Sequence, residues 1–451
     1  MTLLDSTAPH LSALLADAQH KGRLPSLVAG VLRDGELVWT GARGTATREG
    51  EPAPPDADTQ YRIGSITKTM TAALVMQLRD EDALALEDRV DAHLADAPFG
   101  GSTIRGLLAH NTGLPAEPRG PWWERSRGGS YDELVAANAE AAAVLPAGEQ
   151  YHYSNLAYAI LGRIVEQHRA RTWAEAAHDY LWAPLGMTRT SYAAVAPHAD
   201  GFSVDALSGT LTREPHQDTG AMAPAGQVWS TIADLATWGH VLAGGHPGVL
   251  GADALRAMTT PQSAAPDESL TGAYGLGVRL AGPGPRMLVG HTGSMPGFIS
   301  GLFVDPATGV GAVFLANAGY GIGGEALPRD LIETTLRHEP ALAPEWHPTA
   351  ALPDAHRELL GTWHWGHAPF LMTTDGSTLQ LRAVGSDRGF DFVASGQDTF
   401  LGTTGYQTAE TLRVVRRDDG TISHLDVGTF CYTRIPYDPR APIPGAGDPL
   451  D

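Results

Sequence analysis

A proline-rich, non-periodic stretch at residues 339–349 divides this sequence into two regions that differ in pattern. Before it, apolar residues at helical spacing alternate with short runs typical of strands. After it, short apolar runs are separated by turn signals such as Asp375-Gly376 at the spacing of hairpins. The pattern predicts four segments: a mixed domain at 1–338, a linker at 339–351, a small antiparallel barrel or sandwich at 352–438, and an extended tail at 439–451.

Within the first region, periodicity predicts an α+β domain with an antiparallel sheet. The expected elements are helices at 6–21, 65–80 and 153–168, a hairpin around Asp34-Gly35, and neighbouring strands at 287–289, 303–304 and 310–315.

Composition excludes several functional classes. The formal charge of −20 disfavours nucleic acid and anionic membranes as partners. The single cysteine, Cys431, excludes an intramolecular disulfide, a cysteine zinc site and an iron–sulfur cluster. The N-terminus lacks a secretory signal, and no apolar run approaches the ~18 residues of a membrane span, so we expect a cytoplasmic protein. No metal-binding motif such as H-E-x-x-H occurs in the sequence. His364 and His367 are three residues apart on a predicted strand, which places them on opposite faces. We therefore predict neither a metal nor a cofactor.

Lysine is nearly absent from this sequence. Only two of the 31 basic residues are lysines, Lys21 and Lys68. Arginine serves wherever a permanent positive charge suffices, whereas a desolvated lysine can lose its proton. Lys68 follows Ser65 by three residues, so on a helix the hydroxyl and the amine lie side by side. The string alone is more often a helix-capping serine followed by a solvated lysine, but the scarcity of lysine favours a serine nucleophile with a lysine base.

Two further motifs carry groups for acyl transfer. Tyr153-Ser154-Asn155 offers a phenol that can pass protons and an amide that can bind a substrate. Gly290-His291-Thr292-Gly293-Ser294 ends a predicted strand, where a substrate backbone can approach closely. Each motif alone is also compatible with a structural role, as a helix entry and a strand-terminal turn respectively.

Together, the three motifs resemble those of the penicillin-recognising serine enzymes, of the class C β-lactamase and D-alanyl-D-alanine carboxypeptidase type. The stretches Tyr61–Lys68, Leu107–Pro115 and Tyr274–Val278 also look like landmarks of that family, in the same order. The resemblance covers residues 10–335. It implies an antiparallel sheet with helices on both faces, and a helical subdomain.

The resemblance also implies roles for individual residues. Ser65 would be the acylated nucleophile, Lys68 its base and Tyr153 the proton relay, with His291 as a further catalytic residue. Asn155, Thr292 and Gly293 would bind substrate. The backbone N–H groups of Ser65 and Ser294 would form the oxyanion hole.

The layout resembles one branch of the family more than others. His291 replaces the usual lysine, and a histidine with an ordinary pKa of ~6.5 anchors a substrate carboxylate poorly at pH 7. A lipocalin-like β-domain after a proline-rich linker is similar to the stand-alone penicillin-binding-protein-type thioesterases of nonribosomal peptide pathways. This similarity implies offloading and macrocyclisation of a peptidyl thioester, with a peptidyl carrier protein as partner. D-stereospecific peptidases or esterases and β-lactamase-like hydrolases are the alternatives.

Adjacent tryptophans, Trp122 and Trp123, lie in a Pro- and Gly-rich stretch. Both cannot face a helical core, so we expect at least one to line a pocket or lid that binds substrate. Surface aromatics at the core edge are the equally weighted alternative.

Overall fold

The computed structural model describes residues 3–47, 54–265, 272–282, 286–340, 342, 345–348 and 351–438. The chain divides into two compact units, Met1–Ala341 and Leu342–Asp451. The tail predicted at 439–451 and part of the predicted linker lie outside the described residues. Within those ranges, no helix is both long and apolar enough to cross a bilayer.

The first unit contains ten α-helices among its described residues. They are α1 (Ala8–Gly22), α2 (Thr67–Asp80), α3 (Ile104–Leu108), α4 (Tyr131–Asn138), α5 (Asn155–Arg169), α6 (Trp173–Ala177), α7 (Ala223–Gly226), α8 (Ile232–Gly244), α9 (Ala252–Thr259) and α10 (Ala326–His338). Its strands are β1 (Ser26–Arg33), β2 (Glu36–Gly44), β3 (Tyr61–Arg62), β4 (Phe202–Val204), β5 (Leu211–Arg213), β6 (Trp229–Ser230), β7 (Gly272–Tyr274), β8 (Arg279–Ala281), β9 (Leu288–Met295), β10 (Phe298–Asp305) and β11 (Val310–Ala316).

Seven of these strands form one antiparallel sheet in the order β2-β1-β11-β10-β9-β8-β7. Alternate residues of β1 enter two separate apolar clusters: Leu27, Ala29 and Val31 pack with α1 and α10, whereas Val28 and Leu32 pack with α2 and α8. Because successive strand side chains point to opposite faces, this alternation places helices on both faces of the sheet. The α+β fold class expected from the sequence is confirmed.

The predicted local elements of the first unit are also found. The hairpin turns at Asp34 and Gly35, whose φ values are +51° and +87°, as a tight turn between antiparallel strands requires. The helix predicted from residue 65 begins as a short 3₁₀ turn, Gly64–Ile66, and continues as α2. The helix predicted at 153–168 begins two residues later, because the Ser154 side chain caps it by accepting from the Ala157 N–H.

The second unit is a closed antiparallel barrel of eight strands preceded by α11 (Asp354–Arg357). The strands are β12 (Gly361–Trp365), β13 (Ala368–Thr374), β14 (Thr378–Ala383), β15 (Gly389–Gly396), β16 (Thr399–Gly402), β17 (Thr411–Arg416), β18 (Ile422–Val427) and β19 (Phe430–Thr433). Its inward-facing residues, among them Trp363, Phe370, Phe392 and Tyr432, fill the interior as one apolar cluster.

Candidate active site

Ser65 lies where the 3₁₀ turn enters α2, one residue after Gly64. Lys68, one helical turn later, places its Nζ 2.9 Å from the Ser65 Oγ. The same Nζ lies 2.6 Å from the Asn155 Oδ1 and 2.7 Å from the backbone oxygen of Ala225. The serine and lysine predicted as a pair are therefore in hydrogen-bond contact.

Lys68 is fully buried, although it carries an ionisable amine. Burial lowers its pKa from 10.5 to about 7, and the negative charges of Glu117 and Glu124 partly oppose that shift. A neutral amine has two N–H donors and one lone pair. Donation to Asn155 and Ala225 leaves that lone pair for the Ser65 hydroxyl proton, which is the arrangement that a general base requires.

Asn155 is the first residue of α5 and the centre of a hydrogen-bond chain. Its Oδ1 accepts from Lys68, and its Nδ2 donates to the Glu117 Oε1 at 2.7 Å. The other Glu117 oxygen accepts from the Trp123 Nε1, also at 2.7 Å. Glu117 therefore fixes which end of the Asn155 amide faces Lys68.

Tyr153 lies against the amine from the other side. The Lys68 Nζ is 4.9 Å from the centre of the Tyr153 ring. Burial raises the pKa of Tyr153 well above 10, and a hydrogen bond with Ser65 opposes that shift only in part. The phenol is therefore protonated at neutral pH, so it can donate a proton but does not act as a phenolate base.

Strand β9 approaches the nucleophile so closely that glycine is required on both sides. A Cβ on Gly64, whose φ is +52°, would lie 2.5 Å from the Ser294 backbone nitrogen. A Cβ on Gly293 would lie 1.9 Å from the Ile63 oxygen. This proximity places the Ser294 backbone beside Gly64, the residue before the nucleophile, and the oxyanion hole of the Ser65 and Ser294 N–H groups stays a prediction.

The edge of β9 beside the nucleophile extends past its neighbour. Strand β8 pairs with β9 only from Leu288 to Gly290. Among the described residues, the following stretch with Thr292 and Gly293 has a strand partner on the β10 side alone. A substrate backbone can pair with this open edge.

His291 lies on β9 with both ring nitrogens engaged. Its Nε2 is 3.0 Å from the Tyr274 hydroxyl, and its Nδ1 is 2.5 Å from the Thr292 backbone oxygen. Burial lowers its pKa to about 3, so the ring is neutral at pH 7. The histidine thus offers neither a positive charge nor a free nitrogen, and the catalytic role predicted for it stays a prediction.

The two adjacent tryptophans take different positions. Trp123 is 8% exposed and lines a 370 Å³ cavity with Leu134, Thr219 and Met222. Trp122 is 59% exposed; its Nε1 donates to Glu124, and the Arg125 guanidinium lies 4.0 Å above its ring. Of the two tryptophans, Trp123 lines this cavity and Trp122 does not.

The sequence reasoning did not single out Glu117 or His110, both of which touch the site. Glu117 lies between Pro115 and Pro118, where a carboxylate in a rigid turn was the available signal. His110 lies in the landmark stretch Leu107–Pro115, which had no residue-level assignment. Among the residues described by the structure, no group of three or more histidine, cysteine or acidic residues could hold a metal ion.

Comparison with known proteins adds to this geometry. A family model described as Beta-lactamase matches residues 11–336, and a domain of unknown function (DUF7586) matches residues 352–434. The chain is 30% identical over 326 residues to penicillin-binding protein 4 of Amycolatopsis lactamdurans, covering 66% of this chain and 81% of that protein. It is 26% identical over 309 residues to a D-aminopeptidase of Brucella anthropi, covering 66% of this chain and 56% of that protein.

Some solved structures match nearly the whole chain. SurE is 26% identical with a TM-score of 0.61, and the match covers 95% of this chain and 99% of SurE. A second structure of SurE, with D-Leu, superposes with a TM-score of 0.57. Among curated relatives the span varies, and the chain covers 46% of beta-lactamase-like protein 2 of Dictyostelium discoideum.

Proposed function

The chain belongs to the beta-lactamase family of serine hydrolases, and from that premise we propose that it releases a peptide from a thioester or ester and macrocyclises it. The observation that carries the acyl-transfer chemistry is the buried Lys68 amine, 2.9 Å from the Ser65 hydroxyl. Ser65 attacks the acyl carbon, and its proton passes to the neutral Lys68. The resulting oxyanion is held by the N–H groups of Ser65 and Ser294.

Collapse of this intermediate breaks the bond to the leaving group. Tyr153, a protonated phenol, gives its proton to the departing sulfur or oxygen and recovers it through Lys68. An acyl group then remains on Ser65. In the second half of the reaction, an amine or water attacks the Ser65 ester. The proton that this attacking group loses passes back through Tyr153 and Lys68 to the Ser65 oxygen.

The neutral His291 favours an acyl donor without a free carboxylate beside the scissile bond. A cation at this position would pair with the carboxylate of a β-lactam or a cell-wall stem peptide, whereas His291 is buried, uncharged and occupied. A thioester or ester carbonyl has no such carboxylate. The relatives support a D-configured residue at the scissile position, since one is called a D-aminopeptidase and SurE has been solved with D-Leu.

Cyclisation requires that the peptide's own amine reach the acyl-enzyme before water does. The 370 Å³ cavity lined by Trp123 would hold the peptide chain while its amine reaches the ester, and hydrogen bonds through Glu117 and Asn155 link Trp123 to Lys68. The two-unit layout is similar to that of stand-alone thioesterases, which supports a substrate presented as a thioester on a peptidyl carrier protein.

The test is a product mass. A linear peptide thioester with a D-residue at its C-terminus and a free N-terminus is incubated with the protein, and the product is read by liquid chromatography–mass spectrometry. We expect loss of the thiol with no added water. The same peptide with an acetylated N-terminus should give only the hydrolysed acid, since it has no amine to attack.

Two experiments test the acyl-enzyme and the cyclisation step separately. Ser65→Ala should abolish thiol release from both substrates, and release that persists would contradict the acyl-enzyme. If the free peptide instead gives only the acid, the second candidate holds: a D-stereospecific peptidase or esterase, which the D-aminopeptidase relative favours. Comparing D- and L-residues at the scissile position then tests the stereochemical preference directly.

A further inference from the structure

One residue, His110, accepts hydrogen bonds from the backbone on both sides of Tyr153. The backbone oxygen of His110 accepts the N–H of His152 at 2.7 Å. Its side-chain Nδ1 accepts the N–H of Ser154 at 3.1 Å. The two amides that flank Tyr153 therefore end on the same histidine, which restricts the backbone at the point where the phenol projects.

The ring of His110 also packs on the phenol itself. The centres of the two rings are 4.4 Å apart, with an interplanar angle of 40°. Tyr274 and Tyr158 lie on further sides of the imidazole, at 4.7 Å and 5.1 Å between ring centres. His110 is thus the common packing partner of the tyrosines around the site.

Holding His110 in this position is costly. Its φ is +54°, a left-handed conformation that side-chain-bearing residues adopt rarely. Since Nδ1 accepts the hydrogen bond of the Ser154 backbone N–H, the ring proton lies on Nε2, which is buried and has no hydrogen-bond partner among the described residues. Burial lowers the pKa of the imidazole well below its usual range, so the ring stays neutral. Strain and an unsatisfied buried donor together are typical of a functional constraint.

We infer that His110 is a positioning residue for Tyr153: its carbonyl, its Nδ1 and its ring together fix the phenol where it protonates the leaving group. The inference rests on the proposed function, in which Tyr153 is the proton donor. It predicts a defect in leaving-group protonation rather than a general loss of activity.

The variants follow from the geometry. His110→Leu removes the acceptor and keeps an apolar side chain of similar bulk. His110→Asn keeps an oxygen on Cγ in the place of Nδ1, and asparagine tolerates positive φ better than most residues. Tyr153→Phe removes the proton donor itself and serves as the reference.

The assay compares two esters of the same N-acetylated D-amino acid. The p-nitrophenyl ester has a leaving group that departs without protonation, whereas the ethyl ester needs a proton from the enzyme. For Tyr153→Phe we expect kcat/KM, which reports acylation alone, to fall about 100-fold or more for the ethyl ester and far less for the nitrophenyl ester. His110→Leu should show the same selectivity at roughly 30-fold, and His110→Asn should recover most of the loss.

Each outcome has a separate meaning. Equal losses on both esters for His110→Leu, with selectivity retained in Tyr153→Phe, would overturn the positioning role and leave the proposed function standing. Equal losses for Tyr153→Phe would remove the donor role of the phenol, and with it the mechanism proposed above. Melting temperatures of the three variants, measured alongside, show whether kcat/KM follows stability; a loss of kcat/KM that simply tracks melting temperature also overturns the inference.

Discussion

The protonation state of Lys68 sets how activity depends on pH. The base works only when neutral, so acylation should rise with pH through a pKa of about 7 and then level off. The neutral fraction is about one tenth at pH 6 and about nine tenths at pH 8, which gives roughly a tenfold rise in kcat/KM. A solvated lysine of pKa 10.5 would instead give about a hundredfold rise over the same interval, with no plateau.

The size of the shift measures what burial contributes. A pKa lowered from 10.5 to about 7 means that burial destabilises the protonated amine by about 5 kcal/mol relative to the neutral amine. Without this shift, about three amines in ten thousand would be neutral at pH 7. Because Lys68 is buried, most of the free-energy cost of deprotonating it at pH 7 disappears.

The assay measures kcat/KM for the p-nitrophenyl ester of an N-acetylated amino acid between pH 5 and pH 9, in constant ionic strength. This substrate has no amine that titrates in the range. The nearby histidines, His291 with a pKa of about 3 and His110 with one far below its usual range, do not titrate near pH 7 either. A limb near pH 7 that persists in His152→Gln therefore reports Lys68, and Lys68→Arg should be inactive throughout. A rise that continues with unit slope to pH 9 would refute the reasoning.

Three further outcomes follow from contacts in the site. Glu117→Gln keeps an acceptor for its neighbour but removes a negative charge that raises the pKa of Lys68, so the acidic limb of the kcat/KM profile should move to lower pH; an unmoved limb would contradict this coupling. Gly293→Ala places a methyl group 1.9 Å from a backbone oxygen of the nucleophile turn, so kcat should fall at least ~100-fold while circular dichroism shows the fold retained. Trp123→Ala should raise the share of hydrolysed over cyclised product, and the exposed Trp122→Ala is its matched control; equal shares in both variants would remove the role of the cavity.

Local contacts are the part of the site that the sequence predicts best. Ser65 and Lys68 are one helical turn apart, so spacing alone brings their side chains together, and the scarcity of lysine marks the pair. The strands around His291 and the helix that begins at Asn155 follow from periodicity and capping in the same way. These features depend on neighbours within a few residues.

Periodicity in the sequence does not predict contacts between distant segments. The Glu117 carboxylate reaches Asn155 across 38 positions, and His110 reaches Ser154 across 44. Which way the His291 ring points is likewise decided by Tyr274, on another strand. Spacing rules carry no information on such pairs, since they arise only when the sheet and the helices are assembled.

The packed interior of the barrel restricts how this unit can change through evolution. Trp363, Phe370 and Phe392 face one another inside a closed ring of strands, and the Trp363 indole donates to the Leu359 backbone oxygen. A residue lost from this centre leaves a void that costs several kcal/mol, about 3–5 for a large aromatic. Drift in sequence is therefore expected to concentrate on the outward-facing residues and the connecting turns, where new binding properties can arise without loss of the fold.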